Sequence, residues 1–225
     1  MEDIEGAARL KGLRLQSAGK PVYLDSLTLY AGIEDGKKIL TLHSDPVTAS
    51  IKGAFSIVQL PKAFAHFLSR YYPAYITAPE DVLKNQQFEF SLQTEGCSDL
   101  LSALVPKASG LDDTRLNGRL DLTNNHLDLS GDIPNFSYGK NDFKNIRFTG
   151  SGNEDSLHMN FAIEDIAVSD SLHFPGTQLD VSTQKDISAI HLKTQASETL
   201  SDAELNARLQ IFDDGIGIHL SLIHI

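Results

Sequence analysis

Apolar and polar residues alternate in neighbouring segments of this chain, and the apolar sides line up when the chain is folded at its turns. A two-residue turn at Asp35-Gly36 places Ala31 opposite Leu40 and Leu29 opposite Leu42. A slip of one residue would move every side chain of a strand to the other face, so the pattern fixes the register. The pattern therefore predicts an antiparallel meander with one apolar and one polar face.

The same reasoning extends the meander to a third strand. A turn at Ser44-Asp45 would place Leu42 opposite Val47 and Leu40 opposite Ala49. Alternation then continues through Ile57, which predicts strands over about residues 10–57. The alternating positions of the third strand are Val47, Ala49, Ile51, Gly53, Phe55 and Ile57.

The spacing of apolar residues becomes helical after Leu60-Pro61. It predicts one amphipathic helix over about residues 61–76, with Pro61 in the first turn and Pro73 ending or kinking it. The aromatic stripe has three interpretations: packing onto the sheet as core, a plug in a hydrophobic groove, or a contact with lipid or a partner. The stripe consists of Phe64, Phe67, Leu68, Tyr71 and Tyr75.

A short strand and a second helix follow. Phe88, Phe90 and Leu92 alternate as in a strand. Ser98 is a candidate cap for a helix over about residues 98–105, which Pro106 would stop. Strands are predicted from about residue 110 to residue 219.

The most regular hairpin is predicted around a two-residue turn at Asn124-Asn125, since Asn tolerates positive φ. This register would place Asp121 opposite Asp128 on a wet polar face. It would also pair two glycines, interpreted as a bulge or twist site, or as room for a ligand chain or packed helix. The predicted apolar pairs are Leu122 with Leu127, Leu120 with Leu129, Gly118 with Gly131 and Leu116 with Ile133.

Later segments repeat the pattern less regularly. Ile146 and Phe148 are predicted to fold onto Leu157 and Met159 across a Gly-Ser-Gly-Asn loop, and a turn at Asp213-Asp214 returns the last strand. No change in composition marks a domain boundary, so residues 1–219 are predicted to form one continuous β segment of a larger protein, as in a sandwich, a barrel or an extended groove. Residues 220–225 resemble a translated sequencing adapter, the alternative being a genuine final strand.

Composition and charge exclude several classes of protein. The net charge is −11, with 30 acidic and 19 basic residues, which argues against binding nucleic acid. No apolar run reaches the roughly 18 residues of a transmembrane helix, and the first residues lack the pattern of a signal peptide. The lone Cys97 excludes an intramolecular disulfide and is expected to be buried.

No catalytic motif or metal-binding pattern appears in the sequence. The eight histidines lack the spacing of zinc ligands, and His126, His158 and His191 are expected to face solvent. The acidic pairs Asp112-Asp113 and Asp213-Asp214 raise a paired-carboxylate hydrolase, but turn chemistry explains both. The chain is therefore predicted not to be an enzyme, with no cofactor and no metal.

Residues from about Leu10 to Tyr75 resemble the AsmA-like proteins, most closely the TamB-type translocation and assembly module proteins of Bacteroidota. The resemblance lies in a strand followed by a Leu-Pro-x-Ala-Phe segment, a helix and a Tyr-Tyr-Pro segment. The matching stretches in this chain are 11–15, 39–45, 49–57, 60–64 and 71–73. The rest of the chain resembles the family only in its repeated strands of alternating apolar and polar residues.

The resemblance implies a mainly β protein: a long antiparallel meander curled into an elongated apolar β-groove, with one or two short amphipathic helices. It implies a periplasmic location, an inner-membrane anchor outside this fragment, and a barrel partner in the outer membrane. The implied ligands are phospholipid acyl chains, carried to the outer membrane, and the family offers no catalytic residues. The groove-facing candidates are Leu29, Leu40, Leu42, Val47, Ala49, Ile51, Leu116, Leu120, Leu122, Leu127, Leu129 and Ile133.

A second hypothesis treats the apolar face as the core of a β-sandwich or adhesin-like interaction module with no lipid role. The geometry of the sheet separates the two, because a sandwich packs two sheets about 10 Å apart whereas a groove leaves one face open.

Overall fold

A computed structural model of the chain describes residues 5–16, 21–80, 83, 86–196, 200–212 and 215–224. Every strand in this part of the chain belongs to one open antiparallel sheet, in which sequence neighbours are spatial neighbours except around one short strand. The predicted mainly β meander is thus confirmed, and the described strands do not form the two packed sheets of a sandwich.

Strands of the first half of the sheet are β1 (Gly6–Leu15), β2 (Val22–Glu34), β3 (Lys37–Ser44), β4 (Val47–Ala54), β5 (Gln87–Thr94), β6 (Ala108–Gly110) and β7 (Arg115–Asp121). Those of the second half are β8 (His126–Tyr138), β9 (Asn141–Gly152), β10 (Leu157–Ser169), β11 (Leu172–Gln184), β12 (Ile187–Ala196), β13 (Leu200–Phe212) and β14 (Gly215–His224). The short β6 pairs only with β8, so β5 lies directly beside β7. A 3-10 turn (Ile57–Gln59) and helix α1 (Leu60–Leu68) follow β4, and helix α2 (Ser98–Leu104) follows β5.

The first turn has the predicted geometry. Glu34 pairs with Lys37 across Asp35 and Gly36, both of which have positive φ, 51° and 73°. Asp and Gly are the residues that a two-residue hairpin of this kind favours. Ala31 accordingly pairs with Leu40, and the predicted register of β2 against β3 is confirmed.

The register predicted for β3 against β4 is wrong by two residues. Leu42 pairs with Ala49 rather than Val47, and the turn falls at Asp45 and Pro46. Proline has no N–H to contribute to a ladder, so a turn containing Pro46 is favoured over a strand containing it. The shift is an even number of residues, so the apolar face is preserved.

The register predicted for the β7–β8 hairpin is also wrong by two residues, because the side chain of Asp121 shapes the turn. Its carboxylate accepts hydrogen bonds from the backbone N–H groups of Thr123 and Asn124, both at 3.0 Å, and from the side chain of Gln87 at 2.8 Å. This Asx-type turn occupies residues 122–125. The observed pairs are Leu120 with Leu127, Gly118 with Leu129, and Leu116 with Gly131.

The predicted cross-strand pairing of Asp121 with Asp128 is therefore wrong. Asp121 pairs with His126 and is 2 % exposed, so it does not lie on a wet face. Asp128 instead lies opposite Arg119 and contacts His126 at 2.6 Å. Desolvation alone would raise the pKa of Asp121, but the hydrogen bonds from Asn124, Thr123 and Gln87 outweigh it and lower that pKa.

A third register shift occurs between β9 and β10. Phe148 pairs with Phe161 and Ile146 with Ile163, because β9 continues through Gly152 before the chain turns. Asn153 closes this turn by accepting hydrogen bonds from the N–H groups of Asp155 and Ser156. Asp213 and Asp214 lie outside the described residues, while the flanking Ile211 and Ile216 pair as a turn there requires.

Glycines on the apolar face make room for large side chains rather than for an empty channel. A Cβ on Gly118 would lie 2.3 Å from the ring of Phe90, and one on Gly131 would lie 2.2 Å from the ring of Phe148. The predicted Gly118/Gly131 pair does not form, and its space is filled by neighbouring rings. Helix α1 packs against a different glycine, Gly152, since a Cβ there would lie 2.8 Å from the ring of Phe67.

Helix α1 is shorter than the predicted span of residues 61–76. It ends at Leu68, and turns follow through Tyr75. The Ser69 hydroxyl donates to the carbonyl of His66 at 2.9 Å, and Pro73 disfavours helical backbone at Tyr72. Pro61 lies in the first turn as predicted.

Helix α2 has nearly its predicted bounds, but Ser98 does not cap it. The Ser98 hydroxyl donates to Asp112 at 2.7 Å, and Asp112 accepts the backbone N–H of Ser98 at 2.9 Å. A carboxylate from the following loop thus supplies the missing partner at the start of the helix. Asp112 thus lies in a turn, as predicted, and its carboxylate also binds the first residue of α2.

Candidate functional site

The connection between β4 and β5 crosses the apolar face of the sheet. We call its described residues, 55–80, 83 and 86, the strap. Its buried stripe comes from positions three and four residues apart in α1, which face the same side of a helix. Ala63 and Phe67 are 0 % exposed and Tyr71 is 1 % exposed.

The strap packs onto apolar side chains from strands β3, β4, β5, β7, β8 and β10. Phe64 makes edge-to-face contacts with Phe88 and Phe90, with ring centroids 5.8 and 5.7 Å apart. Beneath the strap, Leu120 and Leu127 are 0 % and 3 % exposed. Of the interpretations of the aromatic stripe, packing onto the sheet is therefore observed in this structure.

Polar contacts hold the far end of the strap against β11 and the β11–β12 turn. The Tyr72 hydroxyl lies 3.0 Å from the hydroxyl of Thr183, and the N–H of Ala74 donates to Asp186 at 3.1 Å. The N–H of Asp186 in turn donates to the carbonyl of Tyr71 at 2.7 Å. We call this set of contacts the latch.

Tyr71 also anchors the strap through its hydroxyl, which donates to the carbonyl of Asn153 in the β9–β10 turn. Burial raises the pKa of Tyr71 to about 12, an effect that Arg70 opposes and Asp155 reinforces. The hydroxyl therefore remains a donor at neutral pH.

A row of apolar side chains beside the strap is not part of the buried core. Its members pair strand by strand in unbroken register from β2 to β13, with Gly131 on β8. We call this row the open strip: Leu29, Leu42, Ala49, Leu92, Leu116, Phe148, Phe161, Leu179, Leu192 and Leu205. At about 4.8 Å between strands, the row is roughly 48 Å long.

Side chains of the open strip are partly accessible along its whole length. Leu29 is 41 % exposed, and the other members are half-buried. Phe148 and Phe161 form an aromatic pair in the row, with centroids 5.6 Å apart. The strip thus offers a continuous apolar surface that the strap leaves uncovered.

The structure divides the predicted groove-facing residues into four groups. Leu29, Leu42, Ala49 and Leu116 lie in the open strip, with Val47 and Ile133 half-buried outside the core cluster. Residues under or against the strap are Leu40, Ile51, Leu120, Leu127 and Leu129. Leu122 lies in the β7–β8 turn rather than in a strand, and it also packs against the core.

The pattern of apolar residues does not by itself reveal the part of the open strip on β9 to β13. The alternation placed Phe148 in a strand, but it did not bring Phe161, Leu179 and Leu192 into one row with it. The register of each hairpin depends on its turn residues. At Asn153, the tendency of asparagine to form an Asx turn is the sequence signal for the observed register.

Two hollows lie on the opposite, polar face. They have volumes of about 740 and 610 Å³ and share the floor residues Asn117, Ser130, Thr149 and Asn160. These side chains are cross-strand neighbours in one row of small polar residues. Of the open strip, only Gly131, Phe148 and Phe161 are among the residues that line them.

Charges on the polar face alternate in sign from strand to strand. Lys52 pairs with Glu89, Glu89 with Arg119, and Arg119 with Asp128. Opposite charges directly across a ladder stabilise the pairing modestly. Each cation in this row thus has an acidic neighbour, so the larger hollow carries no excess of one charge.

Other candidate chemistry has structural roles in the described residues. Cys97 is buried, and burial together with Asp112 raises its pKa, which makes the thiol a poor nucleophile at neutral pH. His126, His158 and His191 contact polar neighbours: Asp128, Ser156 and Asn206. Within the described ranges no group of three or more potential metal ligands converges.

None of the helices in the described part of the chain combines the length and apolar character needed to cross a membrane. Comparison with family models, curated proteins and solved structures finds no match to this chain.

Proposed function

We propose that this chain is a segment of a periplasmic β-groove of the TamB/AsmA-like type, which supports phospholipid transport to the outer membrane and protein assembly there. The observation that carries the proposal is the open strip, an apolar row that continues in register from β2 to β13 without being covered by the strap. An inner-membrane anchor and a barrel partner in the outer membrane enter the proposal through the sequence resemblance alone.

The physical chemistry of an acyl chain suits such a surface. Each CH₂ group removed from water contributes about 0.8 kcal/mol, and this contribution needs no particular partner atom. An apolar row can therefore hold a chain at many positions along its length. Movement along the row then requires only the exchange of one apolar contact for an equivalent one.

The first test is the identification of bound lipid. Protein purified from a bacterial periplasm should retain phospholipid, which mass spectrometry of an organic extract identifies. Purified protein should also bind a fluorescently labelled fatty acid. Protein that carries no lipid and binds no fatty acid would refute the proposal.

A matched pair of substitutions on one strand localises the site. Leu116→Asp places a charge in the open strip and should weaken fatty-acid binding by roughly tenfold or more, because an unpaired charge resists burial under an acyl chain. Asn117→Asp adds the same charge at the next residue, on the polar face, and should leave binding unchanged. Circular dichroism verifies that both variants fold, and equal binding by the two would place the lipid elsewhere.

A protein-interaction module with no lipid role is the second candidate. It is favoured by the position of the two hollows, which lie on the polar face rather than along the open strip. If Asn117→Asp alters partner capture while Leu116→Asp does not alter fatty-acid binding, this second candidate replaces the first.

A further inference from the structure

Residues beneath the strap have the same chemistry as the open strip. Ile51, Phe90, Leu129 and Met159 lie one row away from the strip, two residues along their strands, and pack against the strap core. The next row contains Phe88, Leu120, Leu127 and Leu157, which are buried. The strap therefore covers a surface that is continuous with the strip and equally apolar.

The strap is separable from the sheet in topological terms. Ala54, the last residue of β4, pairs directly with Gln87, the first residue of β5. The chain leaves the sheet and returns to it between two paired residues. Replacing everything between them with a two-residue turn would therefore preserve the ladder between β4 and β5.

The far end of the strap is held differently from its centre. Its centre is buried through rings and aliphatic groups, whereas the latch consists of hydrogen bonds to Thr183 and Asp186. Thr183 itself bonds to Ser188 at 2.8 Å, so the latch lies on a polar patch of the inner face. The latch thus fixes the strap at the point where the apolar rows give way to hydroxyl groups.

We propose that the strap occupies, within the chain itself, a second acyl-binding surface, and so limits the number of acyl chains that the sheet can hold. This inference rests on the proposed function and adds its regulation. Aromatic side chains of the strap take the place of a lipid tail on the inner rows. The open strip remains the surface available while the latch is closed.

The direct test replaces residues 55–86 with Asn-Gly, which joins Ala54 to Gln87. Uncovering the inner rows should raise the amount of labelled fatty acid bound at saturation by roughly twofold, in proportion to the apolar area exposed. Saturation equal to that of the unaltered chain would overturn the inference.

A latch variant tests the same idea in a chain that retains its core. Tyr72→Phe with Asp186→Gly removes the two side-chain bonds of the latch, and glycine accepts the positive φ of 62° at position 186. Without these bonds the strap leaves the inner rows more often, so labelled fatty acid should bind the inner rows with roughly fivefold higher apparent affinity. The control combines Tyr75→Phe with Lys185→Gly, which alters an exposed ring and the neighbouring turn residue.

The outcomes separate the two proposals. Tighter binding by the latch variant but not by its control supports the strap as an internal occupant. Equal affinity in the unaltered chain, the latch variant and the control overturns the inference and leaves the proposed function standing. Absence of fatty-acid binding in every variant overturns the proposed function, and the inference falls with it.

Discussion

Single residues determine how the strands of this sheet are paired, and Asp121 is the best example. Its buried carboxylate satisfies backbone N–H groups of the turn and the side chain of Gln87 on β5. One side chain thus shapes a turn and joins it to the neighbouring strand. An ionised carboxylate with several donors is stabilised relative to its protonated form.

Asp121→Ala should lower the free energy of unfolding by about 2 kcal/mol, because buried donors lose a charged acceptor. Denaturant unfolding at pH 7 measures this loss. Asp128→Ala, an exposed acidic residue of the same hairpin, is the control and should cost less than about 1 kcal/mol.

The same substitution has a predictable pH dependence. The pKa of Asp121 is lower in the folded chain than in the unfolded chain, so its contribution is complete above the unfolded value of about 3.9. It disappears as the pH falls through the lower folded value. The stability difference between the unaltered chain and Asp121→Ala should therefore shrink below about pH 4, and a constant difference down to pH 2 would contradict this.

Residue-scale detail also explains what the sequence pattern could not predict. Alternation identified which residues share a face, and that assignment held on β3, β4, β7 and β8. The pairing partner along the strand was set by Pro46, Asp121 and Asn153, whose effects depend on turn hydrogen bonds rather than on hydrophobicity. Errors of an even number of residues therefore preserved the face and changed the neighbours.

At the scale of elements, the strap supplies the two largest fully buried side chains of the described residues, Tyr71 and Phe67. Helical spacing predicted its apolar stripe, and Phe67 and Tyr71 are buried as that stripe requires. Its length was not predictable from spacing alone, because Tyr75 continues the period yet is 79 % exposed beyond the end of α1. Ser69 and Pro73 end the helix by local chemistry that outweighs the periodic pattern.

Phe67→Ala should destabilise the chain by about 3–5 kcal/mol, since the ring fills a fully enclosed space against Gly152. Thermal or denaturant unfolding measures the loss. Tyr75→Ala removes another aromatic side chain of the strap, and its exposure predicts a change within about 0.5 kcal/mol. Similar losses for both variants would show that the strap does not pack as described.

At the scale of the whole molecule, stability is expected to vary along the sheet. Contacts in an open meander are mostly between neighbouring strands, and the strap adds a second layer only over the central ones. Strands that lack such a cover have fewer buried apolar contacts and open more readily.

Hydrogen exchange measured by mass spectrometry should therefore show the slowest exchange in β5, β7 and β8, and faster exchange in β1. Phe67→Ala should accelerate exchange in β7 to β10 while leaving β1 and β2 unchanged. Uniform protection from β1 to β13 would mean that the sheet opens as one unit regardless of the strap.

Register along the open strip has a consequence for how such a chain can change in length. A hairpin consists of two strands of opposite direction. Adding or deleting a whole hairpin therefore leaves the direction of the flanking strands unchanged, and the same side chains of those strands still lie on the apolar face. Loss of β11 and β12 together would bring Phe161 beside Leu205 and leave the row unbroken. Insertions and deletions in units of whole hairpins would thus lengthen or shorten the apolar track without altering its chemistry, whereas loss of a single strand would reverse the direction of all that follows.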